Sequence, residues 1–376
     1  MSIAQNCVTK ALLKAGITIG GKNPWDITVS DNRFYKWVFW KGSLGLGEAY
    51  MEGFWECAQL DQFFEKVLKG GMPLMAVLNP TAIKLIVQSK IMDLAPRSKA
   101  FVVGKEHYDL GNRLFEAMLD TSMSYSCAYW KDATTLEKAQ ENKLDLICRK
   151  LNLRPGQRIL DIGCGWGGFA FHAARQYRVK VVGLTVSKEQ AAYAQNKCKY
   201  LPVEILLQDY REEHGAYDNI VSVGMFEHVG PENYRTYMKM VQRNLLPNGL
   251  FLLHTIGASE SFFHAQDPWI QKYIFPVGEV PTRKQITRST KGFFNTRDWH
   301  EFGTYYDLTL MSWYYNFIHL WKDIEEEYGP RRDGKFYRMW KYYLLACAGS
   351  FRAKNNELWQ IVLSHPNKHQ DYQPVR

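Results

Sequence analysis

The chain has 376 residues, of which 46% are apolar, 23% charged and 14% aromatic, and its net charge is +9. That length suits about two to three domains whose core needs no disulfide or metal to stand, and the composition excludes a wholly disordered chain. The longest run without Asp, Glu, Lys or Arg covers 16 residues between Arg243 and Glu260 and is broken by Pro247, Asn248 and Gly249; a membrane-spanning helix needs ~18–20 apolar residues.

The start, MSIAQNCVTK, has neither the basic opening nor the apolar stretch of a secretory signal, so a cytoplasmic chain is expected. Cys7, Cys57, Cys127, Cys148, Cys164, Cys198 and Cys347 form no CxxC pair, which argues against a disulfide framework and against a metal site. The positive charge suits nucleic acid, an anionic lipid surface or no specific partner.

Residues 1–90 read as a small mixed unit. Gly20-Gly21 and GSLGLG at 42–47 signal turns. In LDQFFEKVLKG, Leu60, Phe63, Phe64, Val67 and Leu68 recur at helical spacing, with Gly70-Gly71 as the stop. A basic helix at 80–93 leads into a linker, which divides the chain into 1–90, a linker at 91–106 and a domain at 107–376. From there strands and helices alternate. Helices are expected at 136–151, 169–177, 188–198 and 233–245, and strands at 158–163, 179–186, 203–209, 219–226 and 249–256. Such alternation means an α/β fold, a parallel sheet with helices on both faces. A helix at 336–352 and a strand at 358–364 close the pattern.

The segment from Asp161 through Gly163, Gly165, Trp166, Gly167 and Gly168 follows a strand and opens a helix. Glycines there let the chain turn sharply and let a nucleotide approach the backbone. A dinucleotide site needs an acid about 20 residues on, at the end of the next strand. Here that strand end carries Thr185 and Ser187, and the nearest acid, Glu189, already lies in the helix. The pattern resembles the S-adenosylmethionine site of the class I, Rossmann-like methyltransferases. In that family a later strand end, here Gln208-Asp209, flanks the adenine.

Further polar residues gather at strand ends, where open parallel sheets bind ligands. Phe226-Glu227-His228 ends the fourth strand of this sheet, His254-Thr255-Ile256 ends the fifth, and Tyr108-Asp109 with YSCAYW at 125–130 precede the sheet. HYDLGNRLFEAMLD (107–120), YSCAYW, LDIGCGWGG (160–168), LTVSKEQ (184–190), GMFEHVG (224–230), LLHTIG (252–257) and YYLLACAGSFR (342–352) occur in this order. Together they resemble the bacterial cyclopropane-fatty-acyl-phospholipid synthases, cousins of the mycolic acid cyclopropane synthases. GSLGLGEAYMEGFWEC extends the likeness into the N-terminal part and points to the phospholipid-acting branch.

The resemblance implies methylene transfer from S-adenosylmethionine to a cis double bond of an acyl chain. It implies a bound bicarbonate as base, held by Cys127, Glu227, His254, the backbone of Ile256, and Tyr306. Glu227 and bicarbonate are both anions and repel; a protonated Glu227 or a charged His254 would each relieve this. Cys347 matches a cysteine marked as catalytic in the family, but its apolar surroundings would raise the thiol pKa, so a pocket-lining role is expected. The cofactor is expected to lie against Tyr125, Ser126, the Asp161–Gly168 loop, Thr185, Ser187, Gln190, Gln208, Asp209 and Tyr210. Tyr125, Tyr129, Trp130, Phe226, Trp269, Tyr306 and Trp313 are candidates to line a pocket for a carbocation. The expected partner is an anionic phospholipid bilayer, reached from the inner face of the cytoplasmic membrane by the N-terminal unit and the basic segment at 80–105. Nucleic acid is not expected, because no NPPY-like or PC motif is present. A homodimer is typical of the relatives. The alternatives are a methyltransferase of a small amine, which shares the glycine loop, and a lipid carrier, which needs neither that loop nor Glu227.

Overall fold

The structure is a computed structural model that describes residues 1–70, 111–258, 267–276, 278–329 and 334–376. The basic helix expected at 80–93, the linker at 91–106 and Tyr108-Asp109 lie outside the described residues. In chain order the first elements are α1 (Ile3–Lys14), β1 (Ile27–Val29), α2 (Arg33–Lys41), α3 (Ser43–Met51), β2 (Trp55–Cys57) and α4 (Leu60–Lys69). Then come α5 (Asn112–Met118), α6 (Leu136–Lys150), β3 (Arg158–Ile162), α7 (Gly168–Tyr177), β4 (Lys180–Thr185), α8 (Lys188–Cys198), β5 (Val203–Leu207), β6 (Asn219–Val223), α9 (Tyr234–Asn244) and β7 (Leu250–Ala258). The last are α10 (Pro268–Tyr273), α11 (Arg283–Thr290), β8 (Asn295–Glu301), α12 (Thr304–Tyr328), α13 (Phe336–Arg352) and β9 (Asn356–Ser364).

The chain forms two compact units. One comprises Met1–Pro96, Ala265–Pro276 and Leu310–Asn356; the other comprises Arg97–His264, Val277–Thr309 and Glu357–Arg376. The single domain expected at 107–376 is therefore redrawn, because two of its segments pack with the N-terminal helices.

The second unit holds a seven-stranded sheet of order β5-β4-β3-β6-β7-β9-β8. The β4–β5, β3–β4, β3–β6 and β6–β7 pairs are parallel, and β8–β9 is antiparallel. Alternate residues of each strand enter opposite layers. Ile159, Val181, Val221 and Leu252 pack with Leu144 and Ile147 of α6 and with Phe169 and Ala173 of α7. Leu160, Val182, Ile220 and Leu253 pack with Tyr237, Met238 and Val241 of α9 and with Ile286 of α11. Burial on both faces explains why the parallel strands read as continuous apolar runs.

The first unit is held by rings. Trp55 packs edge-on against Tyr50 at 5.3 Å and tilted against Phe63 at 5.1 Å, and Tyr342 of α13 meets Trp269 at 4.4 Å and Phe64 at 5.1 Å. Gly42, with φ of +57°, makes the expected turn between α2 and α3, and the rest of GSLGLG is the start of α3. A Cβ at Gly45 would strike the Trp37 carbonyl, and one at Gly47 would strike the Trp269 ring. These glycines permit close packing rather than a bend. On the other side, Gly349 of α13 lets that helix approach the Asp61 carbonyl and Phe64 of α4, and Arg352 pairs with Asp61 at 2.6 Å. No described helix is long and apolar enough to cross a membrane.

Candidate active site

The glycine loop leaves β3 at Ile162 and enters α7 at Gly168. Gly163, Gly165 and Gly167 have φ of +82°, +54° and +80°, a region that other residues adopt only with strain. Their surroundings differ. A Cβ on Gly163 would lie 2.8 Å from Met225, whereas one on Gly165 would meet nothing within 4 Å. Gly165 thus leaves open room above the loop, where a nucleotide can approach the backbone and the N-terminus of α7. Asp161 ends up almost wholly buried, with its Oδ2 lacking a hydrogen-bond partner among the described residues. Burial pushes its carboxyl up to about 7, against the pull of Lys143. The Trp166 indole donates to Asn112 Oδ1 at 2.8 Å and packs on Phe115, so it ties the loop to α5.

The next strand ends carry the other residues expected to hold the cofactor. Thr185 Oγ1 donates to Gln190 Oε1 at 2.9 Å, and Ser187 caps α8 by accepting from the Gln190 amide. Gln208 N donates to the Thr185 carbonyl at 2.9 Å, which aligns the ends of β4 and β5. Asp209 accepts from the Arg211 amide at 2.9 Å, and Tyr210 packs on Tyr237. The Tyr125 ring meets Phe115 edge-on at 5.3 Å, and Ser126 Oγ accepts from Lys143 Nζ at 3.1 Å.

The residues expected to hold the base come from four places in the chain. Glu227 lies in a 3₁₀ turn at Phe226–His228, because Gly224, with φ of +65°, ends β6 at Val223 rather than at the expected 226. His254 is not at the end of its strand. It lies within β7 opposite Val223, the last residue of β6, so it still reaches the carboxyl edge of that neighbour. Ile256 N donates to Glu227 Oε1 at 2.7 Å, so the backbone expected to help hold the base contacts the glutamate of the same group. Glu227 Oε2 and His254 Nε2 are buried and have no hydrogen-bond partner among the described residues. His254 Nδ1 faces Gln360 Nε2 at 3.3 Å.

Burial sets the protonation of this group. It pushes Glu227 up to about 7, outweighing the Ile256 amide, Glu227's own amide and the Thr255 hydroxyl. It drives His254 well below its ordinary value, helped by the charges of Lys143 and Lys150. Of the two ways to relieve repulsion at Glu227, the structure thus favours a protonated carboxyl over a charged imidazole. Burial also raises the Cys127 thiol far above its usual range. Its neighbour Ala128 donates N–H to Thr309 Oγ1 at 3.1 Å, and the Trp130 indole donates to the same oxygen at 3.0 Å. Tyr306 is buried near the start of α12, and the adjacent Tyr305 packs on Tyr129 at 5.5 Å.

Cys347 belongs to the other unit, on α13. Burial pushes its thiol up to about 12, with Asp267 adding to the shift, so little thiolate exists near neutral pH. Trp269 and Trp313 also belong to that unit and are fully buried. Phe226 is a core residue, stacked on Tyr234 at 4.2 Å. Three residues without a sequence signal brace the site: Gln140, Lys143 and Thr309. Gln140 Nε2 donates to the carbonyls of Ser124 at 3.3 Å and Ser126 at 2.9 Å. Its place one turn from Lys143, on the inward face of α6, was the one available cue.

An acid at the end of the first sheet strand, a positive-φ glycine loop and a parallel sheet define a class I S-adenosylmethionine-dependent methyltransferase. The family model for mycolic acid cyclopropane synthetase matches residues 96–361. The cyclopropane-fatty-acyl-phospholipid synthase of Escherichia coli K12 is 53% identical over 353 residues, covering 94% of this chain and 91% of that protein. Among solved structures, the cyclopropane synthase MmaA2 from Mycobacterium tuberculosis is 32% identical, with a TM-score of 0.66, over 72% of this chain and 99% of its own. The mycolic acid cyclopropane synthase CmaA1, solved with SAH and CTAB, is 31% identical, with a TM-score of 0.65 and the same coverage. The chain belongs to the mycolic acid cyclopropane synthetase family, and S-adenosylmethionine is its methyl donor.

Proposed function

We propose that the chain transfers a methylene group from S-adenosylmethionine to the cis double bond of an unsaturated acyl chain in a membrane phospholipid, with bicarbonate as base. The observation that carries the base is the pair of buried, unpartnered atoms Glu227 Oε2 and His254 Nε2. Most buried polar side-chain atoms find a partner, and a small group with both donor and acceptor oxygens would supply one to each of these two. Cys127, Glu227, His254 and Tyr306 would hold it, and when bound it would supply a proton acceptor. The 53% identity to a phospholipid-acting synthase across nearly the whole chain supports the substrate.

The chemistry then balances. The alkene electron pair attacks the methyl carbon, and the S–CH₃ bond breaks, releasing S-adenosylhomocysteine. The carbocation left on the acyl chain loses a proton from the new methyl group, and that C–H electron pair closes the ring. The protein holds donor and alkene in line and keeps water from the cation. A Glu227 that favours its protonated form donates a hydrogen bond without adding a second negative charge to an anion beside it.

The lipid surface is met by the N-terminal unit. Met1, Ile3, Leu13 and Trp40 are exposed there, with Lys10, Lys14 and Lys36 also exposed on α1 and α2. Apolar side chains flanked by lysines suit the headgroup region of an anionic leaflet. The enzyme works as a homodimer at the inner face of the cytoplasmic membrane. Mass spectrometry of unsaturated phospholipid vesicles incubated with enzyme and S-adenosylmethionine tests the reaction. The expected product carries one extra CH₂ on the acyl chain and survives hydrogenation that saturates alkenes. Methylation of an added amine with no lipid product would assign a different substrate. Flotation with anionic and neutral vesicles tests the surface, and equal binding at low salt would remove it.

A further inference from the structure

Gln360 and His254 are 0% and 1% exposed and lie on β9 and β7, neighbouring strands of the sheet. Leu250 and Leu252 of β7 and Val362 of β9 pack in the layer of α6 and α7. Side chains alternate along a strand, so His254 and Gln360 belong to that same face, each a polar residue in an apolar row. They pair there. Gln360 Nε2 faces His254 Nδ1 at 3.3 Å, and this is the one side-chain hydrogen bond of either residue among the described residues. Burying an amide without a partner is unfavourable, so this bond orients both side chains. The other imidazole nitrogen, Nε2, is buried without a partner among the described residues, as is Glu227 Oε2. Glu227 is itself tied to β7 two residues on from His254, by the Ile256 amide at 2.7 Å.

A neutral imidazole has one N–H and one lone pair, and the partner of one nitrogen decides which the other carries. Burial keeps His254 neutral. The Gln360 amide donates to Nδ1, which therefore holds the lone pair and leaves the proton on Nε2. The reverse arrangement, with the Gln360 carbonyl accepting from Nδ1–H, would leave a lone pair on Nε2. A lone pair repels an anion, whereas an N–H binds it. We propose that Gln360 is a positioning residue that holds His254 as its Nε2–H tautomer, so that the imidazole offers a donor to an anionic base. With Oε1 taken by the Ile256 amide, a protonated Glu227 carries its proton on Oε2. The two unpartnered atoms then become two donors, and Gln360 acts only through His254.

The role at the anion rests on the bicarbonate reading above; the tautomer does not, and the test separates them. Full-length enzyme with isotope-labelled histidine and bound S-adenosylhomocysteine is read by ring-nitrogen NMR, with His254 assigned by its loss in His254→Asn. The wild type is expected to carry the proton on Nε2, and added bicarbonate to shift that resonance. In Gln360→Met, which removes the amide at similar size, the two tautomers are expected to mix. Turnover on unsaturated phospholipid vesicles should fall about tenfold or more, and half-saturation by bicarbonate should move to higher concentration. S-adenosylmethionine affinity by calorimetry should stay within about threefold. A wild-type proton on Nδ1 would overturn the proposal, and this arm needs no variant to fold. So would an unchanged tautomer and an unchanged bicarbonate response in Gln360→Met. An Nε2–H fixed in the wild type and lost in Gln360→Met, with no response to bicarbonate in either protein, would uphold Gln360 as the partner that fixes His254 and break the base reading alone.

Discussion

The cofactor loop and the base group lie on the same sheet but are built differently. The loop is local: eight consecutive residues, shaped by positive-φ glycines and capped by the start of α7. The base group is assembled from segments spread along the chain from Cys127 to Tyr306, and its defining features are buried polar atoms without partners among the described residues and acidities moved by burial. Shape is written in adjacent residues, whereas electrostatics is written in topology. Under the proposed function, the first kind of site would bind a large ligand through backbone, and the second a small one through buried side chains.

The largest expected effect tests that division. Glu227→Gln keeps an acceptor for the Ile256 amide but loses the titratable proton. Turnover should fall by about a hundredfold or more, while S-adenosylmethionine affinity by calorimetry stays within about threefold. A parallel loss of both would mean that the two regions act as one. Gly163→Ala should do the reverse and damage cofactor binding first. It combines a φ of +82° with a Cβ 2.8 Å from Met225, costing about 1–3 kcal/mol and about tenfold or more in affinity.

A pH series sharpens the contrast. The folded-state pKa of Glu227 is raised from 4.5 to about 7, so its protonated form stabilises the fold at low pH and that stability is lost as pH rises through 7. Glu227→Gln removes this loss. Its melting temperature relative to wild type should rise steadily between pH 4.5 and 7 and then level off. A flat difference would mean that Glu227 is ionised throughout. The smallest effect lies away from both regions. Arg376 donates twice to Asp298 at 2.6 Å, beside buried Lys150. Because its guanidinium is partly exposed, Arg376→Ala should cost only about 1 kcal/mol by denaturant unfolding, with turnover unchanged.

Legibility in the sequence followed the same split. The strands β3 to β7 were readable because double burial leaves continuous apolar runs, and the cofactor loop because its glycines are adjacent. β8, with the sequence NTRDWHE, escaped because its polar Asp298 answers Lys150 and Arg376 rather than an apolar periodicity. GSLGLG was legible only in part: Gly42 makes the turn, whereas Gly45 and Gly47 mark close helix approach. Gln140, Lys143 and Thr309 carry no motif. A polar side chain on a helix reads as solvent-facing until the element that covers it is known. The engagement of the Ile256 amide by Glu227 also depends on where β7 passes the 3₁₀ turn, which spacing does not encode.

The central claim is that the base group serves methylene transfer to a lipid alkene. The most direct test incubates unsaturated phospholipid vesicles with enzyme and S-adenosylmethionine in carbonate-free buffer, adds bicarbonate stepwise, and follows the acyl product by mass spectrometry. The account predicts a saturable, bicarbonate-dependent rise in an acyl product one CH₂ heavier that resists hydrogenation. A full rate without bicarbonate, or no acyl product at any concentration, would contradict it.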